Sequence, residues 1–347
     1  MGFFLNRPMH NIDYSTSKQT TTTIYFDANY SIFKELAKSK RTAIICCKSI
    51  ADNFPDISKL ENLIIINDSE SHKNLATIEK IISRLLELGI DRNSYIIGIG
   101  GGVVCDMTGF VAHIYMRGVR FGFIPTTLLA MSDAAIGGKN GVNFNENKNM
   151  IGSFDNPDFI IEDSNFLHTL PDEQYFSGLG EIIKYALIGN TRILDLLNTH
   201  TEEIKKRDNK ILGELISEAA TTKVKIVEED PNDKSIRHIL NLGHTIGHSI
   251  ELIEKIPHGM AVVKGINAAT DISLKLGMLD NNKAVQIKQL LTTFGYDISY
   301  CLNDNHIRLL SNDKKKEDSS IRFVLLEDIG KPVICKMPVQ QIVELTR

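Results

Sequence analysis

The chain has 347 residues, 42% of them hydrophobic, with 39 Lys and Arg against 43 Asp and Glu. That is long and apolar enough for two domains with their own cores, and a formal charge of -4 argues against a nucleic-acid partner, whose binders carry a basic excess. The five cysteines, Cys46, Cys47, Cys105, Cys301 and Cys335, contain no C-x-x-C spacing, and neighbours such as Cys46 and Cys47 seldom bridge each other, so a reducing compartment is expected.

The amino terminus, MGFFLNRPMH, lacks the apolar core of a signal peptide, and no stretch of the chain approaches the roughly 18 residues that span a bilayer. A soluble, cytoplasmic chain with no membrane partner is therefore expected, and the first ten or so residues receive no function. Short β-branched runs follow at Thr42–Cys46, Leu63–Ile66, Tyr95–Ile99, Phe121–Ile124 and Phe159–Ile161, with helical patterns at Ala76–Leu88 and Met107–Met116 between them. Such alternation predicts a parallel sheet covered by helices. After about Leu170 the pattern turns to long amphipathic segments, predicting helices at Asp172–Ile188, Arg192–Thr199, Ile211–Glu228, Leu240–Ile253, Gly259–Leu276 and Asn282–Phe294, then a short hairpin from Ile321–Leu326 and Val333–Cys335.

Three groups of residues carry chemistry. Gly98, Gly100, Gly101 and Gly102 stand between a predicted strand and a predicted helix, where backbone N–H groups and the helix dipole favour an anion. The third glycine of the usual dinucleotide fingerprint is missing, so a tight strand-to-helix turn would explain these four almost as well. Thr126 and Thr127, after Pro125, add hydroxyls at the end of the next strand. Lys139, Lys148 and Asn149 lie in what read as glycine- and asparagine-rich loops, suited to phosphate oxygens or sugar hydroxyls. The third group is Glu181 with Lys184, then His244, His248 and His258. His244 and His248 are four apart and share one face of a helix, and a Glu with two His is a catalytic zinc set that leaves a coordination position open. Arg237 and Lys223 add cations in or near the same helical segment, while the run Lys314 to Lys316 reads mainly as a solvated loop.

In order along the chain, GGGVVCD, YMRGVRF, IPTTLLA, SDAAIGGKNGVN, KNMIGSF, FLHTLP, GLGEIIKYALI, RHILNLGHTIGH and HGMAV resemble the sugar phosphate cyclases, and among them the 3-dehydroquinate synthase family. The resemblance implies an α/β Rossmann-like domain over residues 1–165, a mostly α-helical domain over 166–347, and an active site in the cleft between them. It also implies NAD and Zn2+, with Co2+ able to substitute. By motif the metal ligands would be Glu181, His244 and His258. The NAD set would be Asp68, Ser69, Glu70, Ser71, His72, Lys73, Gly101, Gly102, Val103, Val104, Cys105, Asp106, Thr126, Thr127, Leu129, Lys139, Lys148, Phe166, Leu167, His168 and Thr169. Catalysis and substrate contact would fall to Lys139, Lys184, Lys223, Arg237, Asn241 and His248, with Asp133, Asn149 and one of Lys314 and Lys315 also meeting the substrate and Arg117 reaching in from the second subunit of a homodimer.

The implied partner is a small sugar phosphate, 3-deoxy-D-arabino-heptulosonate 7-phosphate, converted to 3-dehydroquinate and phosphate. Cys105 and Ser69 stand where the resembling family commonly has glycine, Met260 where it has glutamate, and Asp233 where it has the longer glutamate. These departures touch fine specificity rather than reaction class. Another sugar phosphate cyclase, or a metal-dependent polyol dehydrogenase sharing the two-domain plan, are the alternatives at this stage.

Overall fold

A computed structural model describes residues 10–17, 20–37, 40–145, 147–312 and 320–346. The chain divides into two compact units, one running to Leu170 and including Lys223–Pro231, the other made of Pro171–Thr222 and the chain from Asn232 onward.

In the first unit the strands are β1 (His10–Ser17), β2 (Thr20–Phe26), β3 (Thr42–Cys47), β4 (Leu63–Ile66), β5 (Tyr95–Gly100), β6 (Arg120–Pro125), β7 (Lys139–Phe144), β8 (Asn147–Phe154) and β9 (Phe159–Ile161). Seven of them form one sheet in the order β1-β2-β9-β6-β5-β3-β4. It is parallel throughout except for the antiparallel pair β1 and β2 at one edge. β5 lies inside this sheet with every residue buried, as a continuous apolar run in a parallel sheet should be. Between β4 and β5 the helix Leu75–Glu87 buries Ile78, Ile81 and Leu85, a stripe at helical spacing. Asn74 caps it by accepting from the Thr77 backbone N–H at 3.0 Å.

The sequence pattern had no strand at β1 or β2. The run TTTTIYF looks polar, but Thr22 is fully buried and donates its hydroxyl to the Pro157 carbonyl at 2.6 Å, so a satisfied threonine serves as a core residue. A second correction concerns Lys139, Lys148 and Asn149, which stand on the antiparallel hairpin β7–β8 rather than in loops. Gly141 faces Gly152 there, and a Cβ on Gly152 would lie 2.3 Å from the Asn140 carbonyl oxygen. The glycines thus permit close strand pairing. The helix expected at Met107–Met116 begins earlier and spans Gly102–Ile114, with Gly101 at its cap and Gly102 opening its first turn.

The second unit is mostly helical: Asp172–Leu187, Thr191–Thr199, the greater part of Asn209–Glu229, His244–Glu254, His258–Lys275, Asn281–Thr293, Asp304–Asn312 and Val339–Thr346, with a hairpin of β10 (Ser320–Asp328) and β11 (Lys331–Pro338). The single helix expected over Leu240–Ile253 is two elements. A 3-10 turn covers Ile236–Asn241, Gly243 breaks the chain with φ 79, and the α-helix starts at His244. Among the described residues no helix is long and apolar enough to cross a membrane. All five cysteines are free thiols.

Candidate active site: a metal-donor cluster and a dinucleotide cradle

The metal donors sit on three helices of the second unit that approach backbone to backbone. Glu181 is on Asp172–Leu187, His244 and His248 are on His244–Glu254, and His258 opens His258–Lys275. Each of Glu181, His244 and His258 has a glycine beside it in the chain. A Cβ on Gly180 would stand 2.6 Å from the Gly259 carbonyl oxygen, one on Gly243 2.5 Å from that of Val262, and one on Gly265 1.9 Å from that of Gly243. Only hydrogen fits at these contacts, so the glycines set how closely the donor-bearing helices can meet.

Glu181 is fully buried. Its Oε2 lies 2.5 Å from Lys184 Nζ, while Oε1 faces His258 Nε2 at 3.2 Å and His244 Nε2 at 3.4 Å. The far nitrogens of both rings are engaged: His258 Nδ1–H donates to Glu251 Oε2 at 2.8 Å and His244 Nδ1–H to the Leu242 carbonyl at 3.1 Å. Both partners can only accept, so each Nδ1 carries a proton, and each Nε2 is turned to the carboxylate, where a bound metal would take its lone pair. A buried carboxylate oxygen facing two imidazole nitrogens calls for positive charge among them, a proton on Nε2 or a metal ion in its place. Ligand atoms bound ~2.05 Å from zinc at tetrahedral angles lie ~3.3 Å apart, which is the spacing found here. The donor set fits a divalent metal. His248 adds a fourth group: the ligand nitrogens of His244, His248 and His258 all lie within 4.8 Å of one another.

Electrostatics agree with an ionised carboxylate. Burial opposes the charge of Glu181, but Lys184 and His244 hold its carboxyl well below the usual range. Burial lowers His244. It opposes the charge of His258 as well, yet contacts with Glu181 and Glu251 push that imidazole up to about 9.

In the first unit, β5 runs into the glycine turn. A Cβ on Gly98 would be 2.6 Å from Thr108 Oγ1 and one on Gly100 2.4 Å from Val104 Cγ2, so these two glycines let the helix Gly102–Ile114 lie directly on the strand. Gly101 caps that helix without a side-chain bond, leaving first-turn N–H groups available at the carboxyl end of a parallel strand, the usual seat of a pyrophosphate. The cradle fits a dinucleotide. Thr126 N–H donates to the Gly100 carbonyl at 2.9 Å, and Thr127 Oγ1 accepts from Ala130 N at 3.1 Å.

Asp68, Ser69, Glu70, Ser71 and His72 are exposed, but Lys73 is buried. Lys73 pairs with Asp106 and donates to Asn149 Oδ1 at 2.6 Å. Asn143 closes the ring: its Oδ1 accepts from Asn149 N at 2.9 Å, its Nδ2 donates to Glu70 Oε1 at 2.8 Å and its N–H to the Lys73 carbonyl at 2.8 Å. Burial raises the Asp106 carboxyl, with Lys73 opposing. Lys223 Nζ donates to the Asp133 carbonyl at 2.6 Å and also meets its carboxylate.

The remaining expected site residues are distributed as follows over the two units and the solvent-exposed surface. Lys223 groups with the first unit, while Arg237 belongs to the second, where it is buried on the turn that ends at Asn241. Phe166 and Leu167, expected to touch a cofactor, are core side chains; Phe166 packs 4.7 Å from the Phe54 ring and 5.7 Å from Tyr30. Val104 and Cys105 are buried too, Gly102, Val103 and Leu129 are partly covered, and Lys139, Lys148, Asn149, Arg117, His168 and Thr169 are exposed. Lys314 lies outside the described residues, as does Lys315. Sequence reasoning missed Glu251 and Asn143. Glu251 could have been found, since positions 244, 248 and 251 share one helix face; Asn143 ties Asn149 to Glu70 and Lys73, far back in the chain, and left no local signal.

The chain matches the family model described as 3-dehydroquinate synthase N-terminal over residues 63–177 and that described as 3-dehydroquinate synthase C-terminal over residues 178–316. A 3-dehydroquinate synthase of Dictyoglomus thermophilum is 38% identical over 314 residues, covering 87% of this chain and 88% of that protein. Among solved structures, a 2-deoxy-scyllo-inosose synthase complexed with carbaglucose-6-phosphate, NAD+ and Co2+ has the same fold, with TM-score 0.85 and 24% identity over 97% of this chain and 99% of that one. A 2-epi-5-epi-valiolone synthase from Streptomyces hygroscopicus subsp. jinggangensis, with NAD+ and Zn2+ bound, likewise gives TM-score 0.85 at 22% identity over 95% and 96%. Two matches that together run from residue 63 to 316, on a fold of parallel sheet and helical unit, establish that this chain belongs to the 3-dehydroquinate synthase family.

Proposed function

We propose that the protein converts 3-deoxy-D-arabino-heptulosonate 7-phosphate into 3-dehydroquinate and inorganic phosphate, consuming no net NAD+. The observation that carries this reading is the buried Glu181 carboxylate facing the Nε2 atoms of His258 and His244 at 3.2 and 3.4 Å. The name of the 38% identical relative, and the NAD+ with Co2+ or Zn2+ in the two related structures, support it.

When bound, a divalent metal on Glu181, His244 and His258 would polarise a substrate hydroxyl, and NAD+ on the glycine turn would accept a hydride and give it back. The chain's own part is to hold and orient. Lys184 keeps Glu181 ionised, and the Leu242 carbonyl and Glu251 fix the two imidazole tautomers. His248, one turn beyond His244, offers an imidazole for moving a proton. Arg237 presents a planar fork suited to the substrate carboxylate. In the first unit Lys139, Lys148 and Asn149 supply cations and an amide for phosphate oxygens, and Lys223 is held in place by Asp133. Loss of phosphate by β-elimination, ring opening and aldol closure then ask the protein chiefly for a held conformation and shelter from water. Within the same proposal, exposed Arg117 serves the site of a second copy in a homodimer.

The test is phosphate release from three compounds, the heptulosonate phosphate, sedoheptulose 7-phosphate and glucose 6-phosphate, each with catalytic NAD+ and added zinc. Release from the first alone is expected. Release from either of the others instead would assign the chain to a different cyclisation, and net NADH without phosphate would make it a dehydrogenase.

A further inference from the structure

We propose that Glu251 is a positioning residue for the metal ligand His258, fixing the ring so that Nε2 faces Glu181 and placing a negative charge behind it. This rests on the reading of Glu181, His244 and His258 as metal ligands. The two histidines are held differently. His244 Nδ1 is anchored by a backbone carbonyl, Leu242, two residues before it, a contact no side-chain change removes. His258 Nδ1 is anchored only by the Glu251 carboxylate at 2.8 Å among the described residues, and its ring is otherwise met by Glu181 and by the His244 and His248 rings.

Glu251 is well placed for the role. It lies on the helix His244–Glu254 that carries the other two histidines, its side chain is 13% exposed, and only Lys255, Ile256 and Pro257 separate that helix from His258, with Lys255 turning the chain at φ 55. An imidazole whose outer nitrogen has an acceptor keeps one tautomer and one orientation, and an anionic acceptor also raises the basicity of the inner nitrogen. Without Glu251 the ring can rotate about its Cβ–Cγ bond or carry its proton on Nε2, and in either state Nε2 is lost as a ligand.

The test compares metal-free full-length protein with E251A, E251Q and, as a control, E254A, whose carboxylate lies on the same helix but pairs with Lys264 at 3.6 Å. Zinc affinity is read by competition with a chromophoric chelator, and ligand geometry by the visible absorption of the Co2+ form. E251A is expected to lose about 10- to 100-fold in zinc affinity. E251Q, whose amide oxygen can still accept from Nδ1–H, should lose less and shift the Co2+ bands, with the metal-free unfolding midpoint unchanged; E254A should bind zinc normally. If E251A does not fold, E251Q decides. Wild-type zinc affinity and Co2+ spectrum in E251Q, or wild-type affinity in E251A, overturn the proposal. A wild-type chain that binds zinc but releases no phosphate overturns the reaction and leaves Glu251 standing, while one that binds no zinc overturns both.

Discussion

Replacing Gly243 with alanine should damage both stability and metal binding, and the structure separates the causes. Gly243 has φ 79 and a Cβ there would lie 2.5 Å from Val262 O, 2.7 Å from Ile266 Cγ1 and 2.9 Å from Ile266 N. Gly277 is a control in the same unit, with φ 70 and nothing within 4 Å of its Cβ position. Left-handed backbone costs an alanine about 1–2 kcal/mol at either place. Only Gly243 adds a clash with rigid backbone, about 1–3 kcal/mol for overpacking that the neighbours must relieve by moving. G277A should therefore lose about 1–2 kcal/mol and G243A about 2–5 kcal/mol in urea unfolding of the metal-free protein. Relief means pushing His244–Glu254 away from His258–Lys275, so G243A should also weaken zinc binding in the chelator competition while G277A does not. Equal stability loss in the two variants, with equal zinc affinity, would refute the claim that glycine contacts set the donor geometry.

K73M should destabilise by about 3 kcal/mol, because it strands the Asp106 carboxylate in a largely buried place; adding D106N should recover part of that loss, and strictly additive effects in urea unfolding would count against the pair. Burial, with Asp27 nearby, raises the Glu162 carboxyl well above its usual range, and neither of its oxygens has a hydrogen-bond partner among the described residues. The native state therefore keeps a proton that the unfolded chain releases. The stability Glu162 contributes is whole below about pH 4.3 and falls by up to about 1.4 kcal/mol per pH unit above it until the native carboxyl ionises. E162Q should match wild type at pH 4 and exceed it increasingly toward pH 8; a constant difference would contradict this. R237K should raise KM for a carboxylate-bearing substrate through loss of the two-pronged contact, and an unchanged KM would remove Arg237 from that role. H244A and H258A should each lose zinc together with activity, and full zinc occupancy in either would exclude it as a ligand.

The donor cluster was readable in the sequence because helical spacing and adjacent glycines are local signals: His244 and His248 four apart, Gly180 beside Glu181, Gly259 beside His258. Choosing among the four donors was not readable from spacing and came from resemblance. The parallel sheet was visible wherever strands are plain apolar runs, as in β3, β5 and β9, and invisible at β2, where buried Thr22 satisfies its hydroxyl internally. The hairpin β7–β8 was masked by its glycines and asparagines, which suggest loops until Gly141 and Gly152 are seen face to face. The tie from Lys73 to Asn149 joins residues far apart in the chain, and no periodicity records such a pair.

The central claim, an oxidation that is undone within each turnover, is tested most directly by counting phosphate against NADH with zinc-loaded protein, excess heptulosonate phosphate and NAD+ below the substrate concentration. The account predicts many phosphates released per NAD+ and no rise in NADH absorbance. Phosphate release that stops at one per NAD+, or NADH accumulating in step with substrate loss, would contradict it.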